Sequence, residues 1–340
     1  MMCKYLLIYL GRKELTDNIM KTLFLVLPCY NEELVLKESA TQLDALMSNM
    51  IEEKIISEKS KICFVNDGST DTTYEILKKL CQENPIFCAI NLAGNSGHQN
   101  ALMAGMLTMC DKCDAVITLD ADLQHDISKI PEFWNLYLEG NEIVYGVRKS
   151  RNGEKMAKRL TGDAFFGIMK LSGAKMIKNH ADFRLISSKA IRALMEFKET
   201  NLFLRGIIPS LGFKNTVVEY EEKPRLAGES KYSLGKMLKL ATDGITSFSV
   251  RPLQFIACCG MLFFILSILM FIYAIFTYAN SGVVQGWTSI VAAIWMLGGI
   301  QLLALSIVGE YIGKVYMETK HRPRYIIDEI IMEDNRSREK

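Results

Sequence analysis

From Pro252 to Gly309 the chain carries no Asp, Glu, Lys or Arg. Nothing else in it restricts the fold as strongly, because water-soluble domains rarely run so far without a charge. The stretch divides into 253–279 and 287–308, separated by the small polar segment 280–286. Each part reaches the roughly 20 apolar residues that span a bilayer as a helix. Tyr273, Tyr278 and Trp287 flank the connection, as interfacial aromatics do. Two transmembrane helices forming a hairpin are expected. Arg251 precedes them, Lys314, Lys320, Arg322 and Arg324 follow, and the connection has no basic residue. By the positive-inside rule both ends lie in the cytoplasm. The expected location is the cell (inner) membrane, multi-pass, with 21–232 as a cytoplasmic domain and 310–340 as a cytoplasmic tail.

The rest of the 340 residues is balanced: 23% are charged and the net charge is +2. That excludes a disordered chain, a collagen-like chain and a generally basic nucleic-acid binder, so no nucleic-acid partner is expected. Met20-Lys21-Thr22, directly before an apolar run, resembles a natural start, so residues 1–20 read as a dispensable extension. The nine cysteines show no disulfide-like regularity. Cys110-Asp111-Lys112-Cys113 has no second ligand pair nearby for zinc, and these thiols read as ordinary.

Residues 21–147 alternate between short β-rich runs and helical periodicity. Strands are expected at 22–27, 61–66, 86–91, 115–119 and 143–147, with helices at 34–50, 71–81, 98–109 and 130–138. Such alternation predicts an α/β domain with a mainly parallel sheet covered on both faces. Ligands of these sheets bind beyond the carboxyl ends of the strands. There the chain places Pro28-Cys29-Tyr30-Asn31-Glu32-Glu33, then Asp67-Gly68-Ser69-Thr70-Asp71, then Asp120-Ala121-Asp122-Leu123-Gln124. Carboxylates at i and i+2 on a strand end can share a hard divalent ion, Mg²⁺ or Mn²⁺, that keeps open positions for phosphate oxygens. The glycine motifs of dinucleotide-binding and P-loop folds are absent, so phosphate binding must rely on metal and basic side chains.

Five motifs now stand in order: LVLPCYNEE at 25–33, VNDGSTD at 65–71, DADLQ at 120–124, DFR at 182–184, and the terminal apolar pair. Together they resemble the family 2 glycosyltransferases of GT-A (Rossmann-like) fold, in particular the polyisoprenyl-phosphate sugar transferases such as dolichol-phosphate mannosyltransferase and the bactoprenol glucosyltransferases. The resemblance covers about residues 21–327. It implies that Pro28, Tyr30 and Glu32 line a nucleotide pocket and that Asp67 hydrogen-bonds the base. It implies that Asp120, Asp122 and Gln124 hold Mg²⁺ or Mn²⁺ against the donor diphosphate, with Asp182 near the reacting sugar. Arg184, Arg205 and Lys231 are the implied contacts of an acceptor phosphate, Lys231 lying in RLAGESKY at 225–232, and Arg148 is a further basic candidate from its place in the second half of the domain. Two departures stand out. Gly94-Asn95-Ser96-Gly97 replaces the family's Arg-Asn-x-Gly, and His125-Asp126-Ile127 follows the acidic loop where two prolines are common.

The implied partners are a nucleotide-sugar donor, UDP-linked by analogy with the bacterial members, a polyprenyl phosphate such as undecaprenyl phosphate, and the membrane. The two-helix anchor is compatible with a homo-tetramer. A lipid monophosphate arrives largely deprotonated. It needs cations to position it more than a base to activate it, so Asp182 is expected to orient rather than abstract a proton, with inversion at the anomeric carbon. Residues 233–251 mix basic and apolar side chains at helical spacing and read as an interfacial helix that carries the site to headgroup level. A processive polysaccharide synthase on the same fold would carry a Gln-x-x-Arg-Trp element, which is absent. A non-catalytic nucleotide-sugar-binding scaffold is the remaining alternative.

Overall fold

A computed structural model describes residues 20–149, 177, 180–199, 203–221, 251–281 and 286–332. All but Met20 of the expected extension at 1–20, the expected interfacial helix up to residue 250, and Lys231 with its loop lie outside the described residues. The chain divides into two compact units; among the described residues one carries a sheet and the other carries two helices.

Among the described residues the sheet unit has eight strands: β1 (Leu23–Cys29), β2 (Lys61–Asn66), β3 (Phe87–Leu92), β4 (Ala115–Thr118), β5 (Ile143–Arg148), β6 (His180–Ser187), β7 (Asn215–Tyr220) and β8 (Ile327–Ile331). Their spatial order is β7-β5-β6-β4-β1-β2-β3-β8. β1 is buried along its whole length, as a run that is apolar on both faces must be when helices cover both sides. It pairs in parallel with β2 and β4, and β2 in parallel with β3, so four strand ends emerge at one edge. The sheet is mixed rather than uniformly parallel: β6 lies antiparallel between β4 and β5, and β8 antiparallel against β3.

Among the described residues six α-helices accompany these strands: α1 (Leu36–Glu52), α2 (Thr73–Glu83), α3 (His98–Met109), α4 (Ile130–Leu138), α5 (Ser188–Met195) and α6 (Leu204–Ser210). α1 buries Leu36, Ala40, Leu43, Met47 and Met50, one helical face. α3 is apolar nearly all round because it lies tightly over β1 and β2. A Cβ on its Gly105 would come within 2.4 Å of Val26 Cγ1. Three strands, β6, β7 and β8, went unread in the sequence. Residues 310–340, expected as a tail, include β8, which Asn91 Nδ2 grips by donating to Asp328 Oδ2 at 3.0 Å. The described cysteines are free; Cys110 and Cys113 donate to the carbonyls of Leu107 and Met109.

The second unit holds α7 (Arg251–Ser281) and α8 (Trp287–Thr319). Pro252 sits in the first turn of α7, where a missing N–H costs nothing. Both helices outrun the expected 253–279 and 287–308. Among the described residues, Met296–Thr319 is long and apolar enough to cross a membrane, and Leu253–Leu262 is a shorter apolar segment.

Candidate active site

The first two motifs lock onto each other. Asn31 adopts the left-handed conformation (φ 55°), and its Oδ1 accepts from the Thr70 N–H at 2.8 Å. Thr72 donates through its N–H and its hydroxyl to Glu33 Oε2, at 3.1 and 2.7 Å. The Glu32 N–H donates to Thr73 Oγ1 at 2.9 Å. Much of what PCYNEE and DGSTD encode is this clasp between the β1 and β2 loops. It leaves Tyr30 40% exposed at the rim, with Pro28 buried at the strand end.

Asp67 is almost fully buried, and its two oxygens accept from the backbone N–H groups of Ser96 and Gly97, at 2.7 and 3.0 Å. Burial raises its pKa, and the two amide bonds only partly offset that. Asp67 therefore fastens the 94–97 loop, which opens α3, to the end of β2. Gly68 makes the contact sterically possible: its φ is +64°, and a Cβ there would lie 2.5 Å from the Asn95 backbone nitrogen. Gly68→Ala is expected to cost about 1–3 kcal/mol from backbone strain and clash. A denaturant midpoint equal to the parent's would contradict this packing.

The acidic loop after β4 is a tight turn held from three sides. The Ser39 hydroxyl donates to the Ala121 carbonyl at 2.6 Å, the Gln124 N–H to Asp122 Oδ1 at 3.2 Å, and the Asp120 N–H to His125 Nδ1 at 3.2 Å. Leu123 sits at φ +48°, a strained position for a leucine. Asp120 Oδ1 is buried with no hydrogen bond among the described residues. An acceptor withdrawn from water without a donor suits a cation. Two carboxylates and the Gln124 amide are an all-oxygen donor set that fits Mg²⁺ or Mn²⁺. Among the described residues no group of three or more His, Cys, Asp or Glu side chains is arranged to hold a metal ion, so most of such a shell would come from substrate and water.

The DFR motif lies on β6. The antiparallel register that pairs Thr118 with Arg184 carries Asp182 alongside the acidic loop. Arg184 donates to Asp182 Oδ1, and Arg205 Nη2 donates to Oδ2 at 2.9 Å. His98 Nε2 lies 3.5 Å from Asp182 Oδ2 and 3.6 Å from Asp120 Oδ1, bridging the two acidic groups. Burial alone would raise the Asp182 pKa, but Arg205, Arg184 and His98 hold it well below the usual carboxylate range. Arg184 is buried and committed to Asp182, whereas Arg205 is 38% exposed. Arg148 donates through Nε to the Tyr220 hydroxyl at 3.3 Å.

Sequence reasoning missed three residues here. His98 bridges the carboxylates. Gln99 Oε1 accepts from the Leu204 N–H at 2.9 Å and so anchors the start of α6, which carries Arg205. His125 is fully buried beneath the acidic loop, and burial lowers its pKa even though Asp120 opposes the shift. The signal available was position: His98 and Gln99 follow the GNSG loop, and His125 follows DADLQ.

Comparison with known proteins bears on the same residues. The model of "Glycosyl transferase family 2" matches residues 24–195, a span containing every strand-end motif above and Asp182. The chain belongs to this family. As a family 2 glycosyltransferase with the α/β GT-A fold, it is 46% identical to the "uncharacterized glycosyltransferase YkoT" of Bacillus subtilis over 90% of this chain and 91% of that one. It is 34% identical to the "prophage bactoprenol glucosyl transferase homolog" of Escherichia coli over 90% of this chain and 98% of that one. To the "bactoprenol glucosyl transferase" of Shigella phage SfV it is 36% identical, over 89% and 97%. Arg205 and β8 of this family 2 member fall beyond the matched span, so the family match by itself does not account for them.

Proposed function

We propose that the chain moves a hexose from a nucleoside diphosphate sugar, UDP-glucose in type, to a polyprenyl phosphate such as undecaprenyl phosphate. The transfer inverts the anomeric carbon and takes place on the cytoplasmic face of the cell membrane. The observation that carries this reading is Asp182, a carboxylate made a weak base by two arginines. A hydroxyl acceptor needs a base to take its proton. A phosphate monoester, with a second pKa of about 6, needs none. The site is suited to an acceptor that arrives already ionised. Relatives named bactoprenol glucosyl transferases support the lipid phosphate, and those names guide the choice of donor.

In this reading Asp120, Asp122 and Gln124 hold the divalent ion. When bound, Mg²⁺ or Mn²⁺ stabilises the charge that develops on the departing diphosphate. Pro28, Tyr30 and Glu32 line the nucleotide. Asp67, each of whose oxygens retains a second lone pair, meets the base while securing the 94–97 loop. Arg205, with Lys231 and Arg148, positions the acceptor phosphate, and Arg184 keeps Asp182 oriented. A phosphate oxygen forms the new bond to the anomeric carbon. The old bond to the diphosphate breaks with its electron pair leaving on the nucleotide, so no proton transfer is required. The exposed apolar side chains of α7 and α8, among them Phe255, Leu269, Phe276, Ile294, Leu302 and Leu305, suit burial in lipid as a two-helix anchor.

The test uses the full chain in detergent micelles with undecaprenyl phosphate, Mg²⁺ or Mn²⁺, and a panel of radiolabelled UDP- and GDP-sugars. Label is expected to enter the lipid fraction from a UDP-hexose, and its anomeric configuration is expected to be opposite to the donor's. No transfer from any donor, or equal transfer to the free polyprenol, would overturn the proposal.

A further inference from the structure

His125 makes none of the substrate contacts described above, yet it is the only histidine among the described residues that is fully buried. Its ring is clamped. Phe183 stacks on it at 5.1 Å with planes 13° apart, and Tyr220 meets it edge-on at 5.7 Å. Phe183 is itself stacked on Phe133 at 4.5 Å and set against Tyr220 at 5.4 Å. A ring held this way has its plane fixed. Nδ1 accepts the Asp120 backbone N–H, so that nitrogen keeps its lone pair and the ring's proton resides on Nε2. Among the described residues Nε2 is buried without a hydrogen bond, and Asp120 Oδ2 lies 3.6 Å from it. An unmet buried donor costs on the order of 1–3 kcal/mol, which a small turn of the Asp120 carboxylate would relieve.

We infer that His125 is a positioning residue for the cation site. It grips the Asp120 backbone through Nδ1, and after a small turn of the carboxylate its Nε2–H would hold Asp120 Oδ2, leaving Oδ1 available to a cation. The inference rests on the proposed metal role of Asp120 and extends it to a residue that touches neither metal nor substrate. Imidazole–carboxylate contacts behind a metal ligand commonly affect metal affinity about 10–100-fold. Because Phe183 lies between Asp182 and Arg184 on β6, the same ring stack also ties the acidic loop to the strand that carries Asp182.

The test is direct Mn²⁺ binding to the full chain in detergent, read from loss of the free-ion electron paramagnetic resonance signal with UDP or GDP present. His125→Phe keeps a ring for the stack and removes both nitrogens, and it is expected to weaken Mn²⁺ binding about 10–100-fold. His125→Gln puts an amide N–H near the Nε2 position and is expected to stay within about threefold of the parent. His125→Asn puts an acceptor near Nδ1 but leaves Nε2 unreplaced, and it is expected to resemble the phenylalanine variant. The glutamine and asparagine variants decide the matter should the phenylalanine variant fail to fold. Unchanged Mn²⁺ affinity in the phenylalanine variant, or equal weakening by glutamine and asparagine, would overturn the positioning role alone. Failure of the parent chain to take up Mn²⁺ would overturn the metal reading and this inference together.

Discussion

Asp122→Asn is expected to lower transfer of labelled sugar into lipid by at least about 10²–10³-fold. The amide has the shape of the carboxylate and can still accept the Gln124 N–H through Oδ1, so the turn should survive. What disappears is one negative charge beside the proposed cation. Without it the ion is held more weakly and does less to neutralise the leaving diphosphate. That charge grows as the glycosidic bond breaks, so the loss should fall mainly on kcat, with a smaller rise in the metal requirement. Asp120→Asn should do the same. Initial rates at several Mg²⁺ and Mn²⁺ concentrations, with circular dichroism to confirm folding, check both. A folded Asp122→Asn variant with rates near the parent's would remove the acidic loop from the chemistry.

Asp182→Ala should damage the fold as well as the reaction. Arg184 is 1% exposed, its Nη1 has no hydrogen bond among the described residues, and its Nη2 bonds to Asp182. Removing the carboxylate strands a buried guanidinium, an effect of about 3–5 kcal/mol. For a unit of this size that corresponds to a fall in Tm of roughly 6–20 °C. Removing the stranded charge as well, in Asp182→Ala/Arg184→Met, should regain part of the loss. Acid sensitivity carries the same signature. The folded pKa of Asp182 lies below its unfolded value of about 3.9, so its contribution is complete above that pH. The contribution is then lost as pH falls towards the folded pKa. The parent should lose stability below about pH 4 more steeply than the alanine variant does. Denaturant unfolding at several pH values measures this. Parallel acid limbs in the two proteins would show that the Asp182–arginine cluster is not the linked group.

The parts legible in the sequence were those whose signal is local. β2 begins and ends where the apolar run 61–66 does, and α3 spans the periodic segment 98–109. The acidic residues after β1, β2 and β4 lie at one edge because parallel pairing of adjacent buried strands leaves no other arrangement. Asp67 is a partial case. Its place after a strand was readable, but its grip on the Ser96 and Gly97 amides depends on a loop about thirty residues away in the chain, and no pattern around Asp67 encodes that approach.

What stayed hidden was non-local. β6 reads HADFRLIS, with an acid, a base and a histidine among its apolar residues, so alternation could not mark it as an interior strand. It is interior because Asp182 and Arg184 neutralise each other there and Arg205 arrives from α6. β8 is five residues at the sheet edge, held by side chains of β3 and α2 that lie far away in the chain. Strand order and the gathering of His98, Asp120, Asp182 and Arg205 were settled only by tertiary packing. Periodicity reports which face of an element avoids water. The partners that a buried charge finds depend on how distant elements stack, and that information is spread over the whole chain.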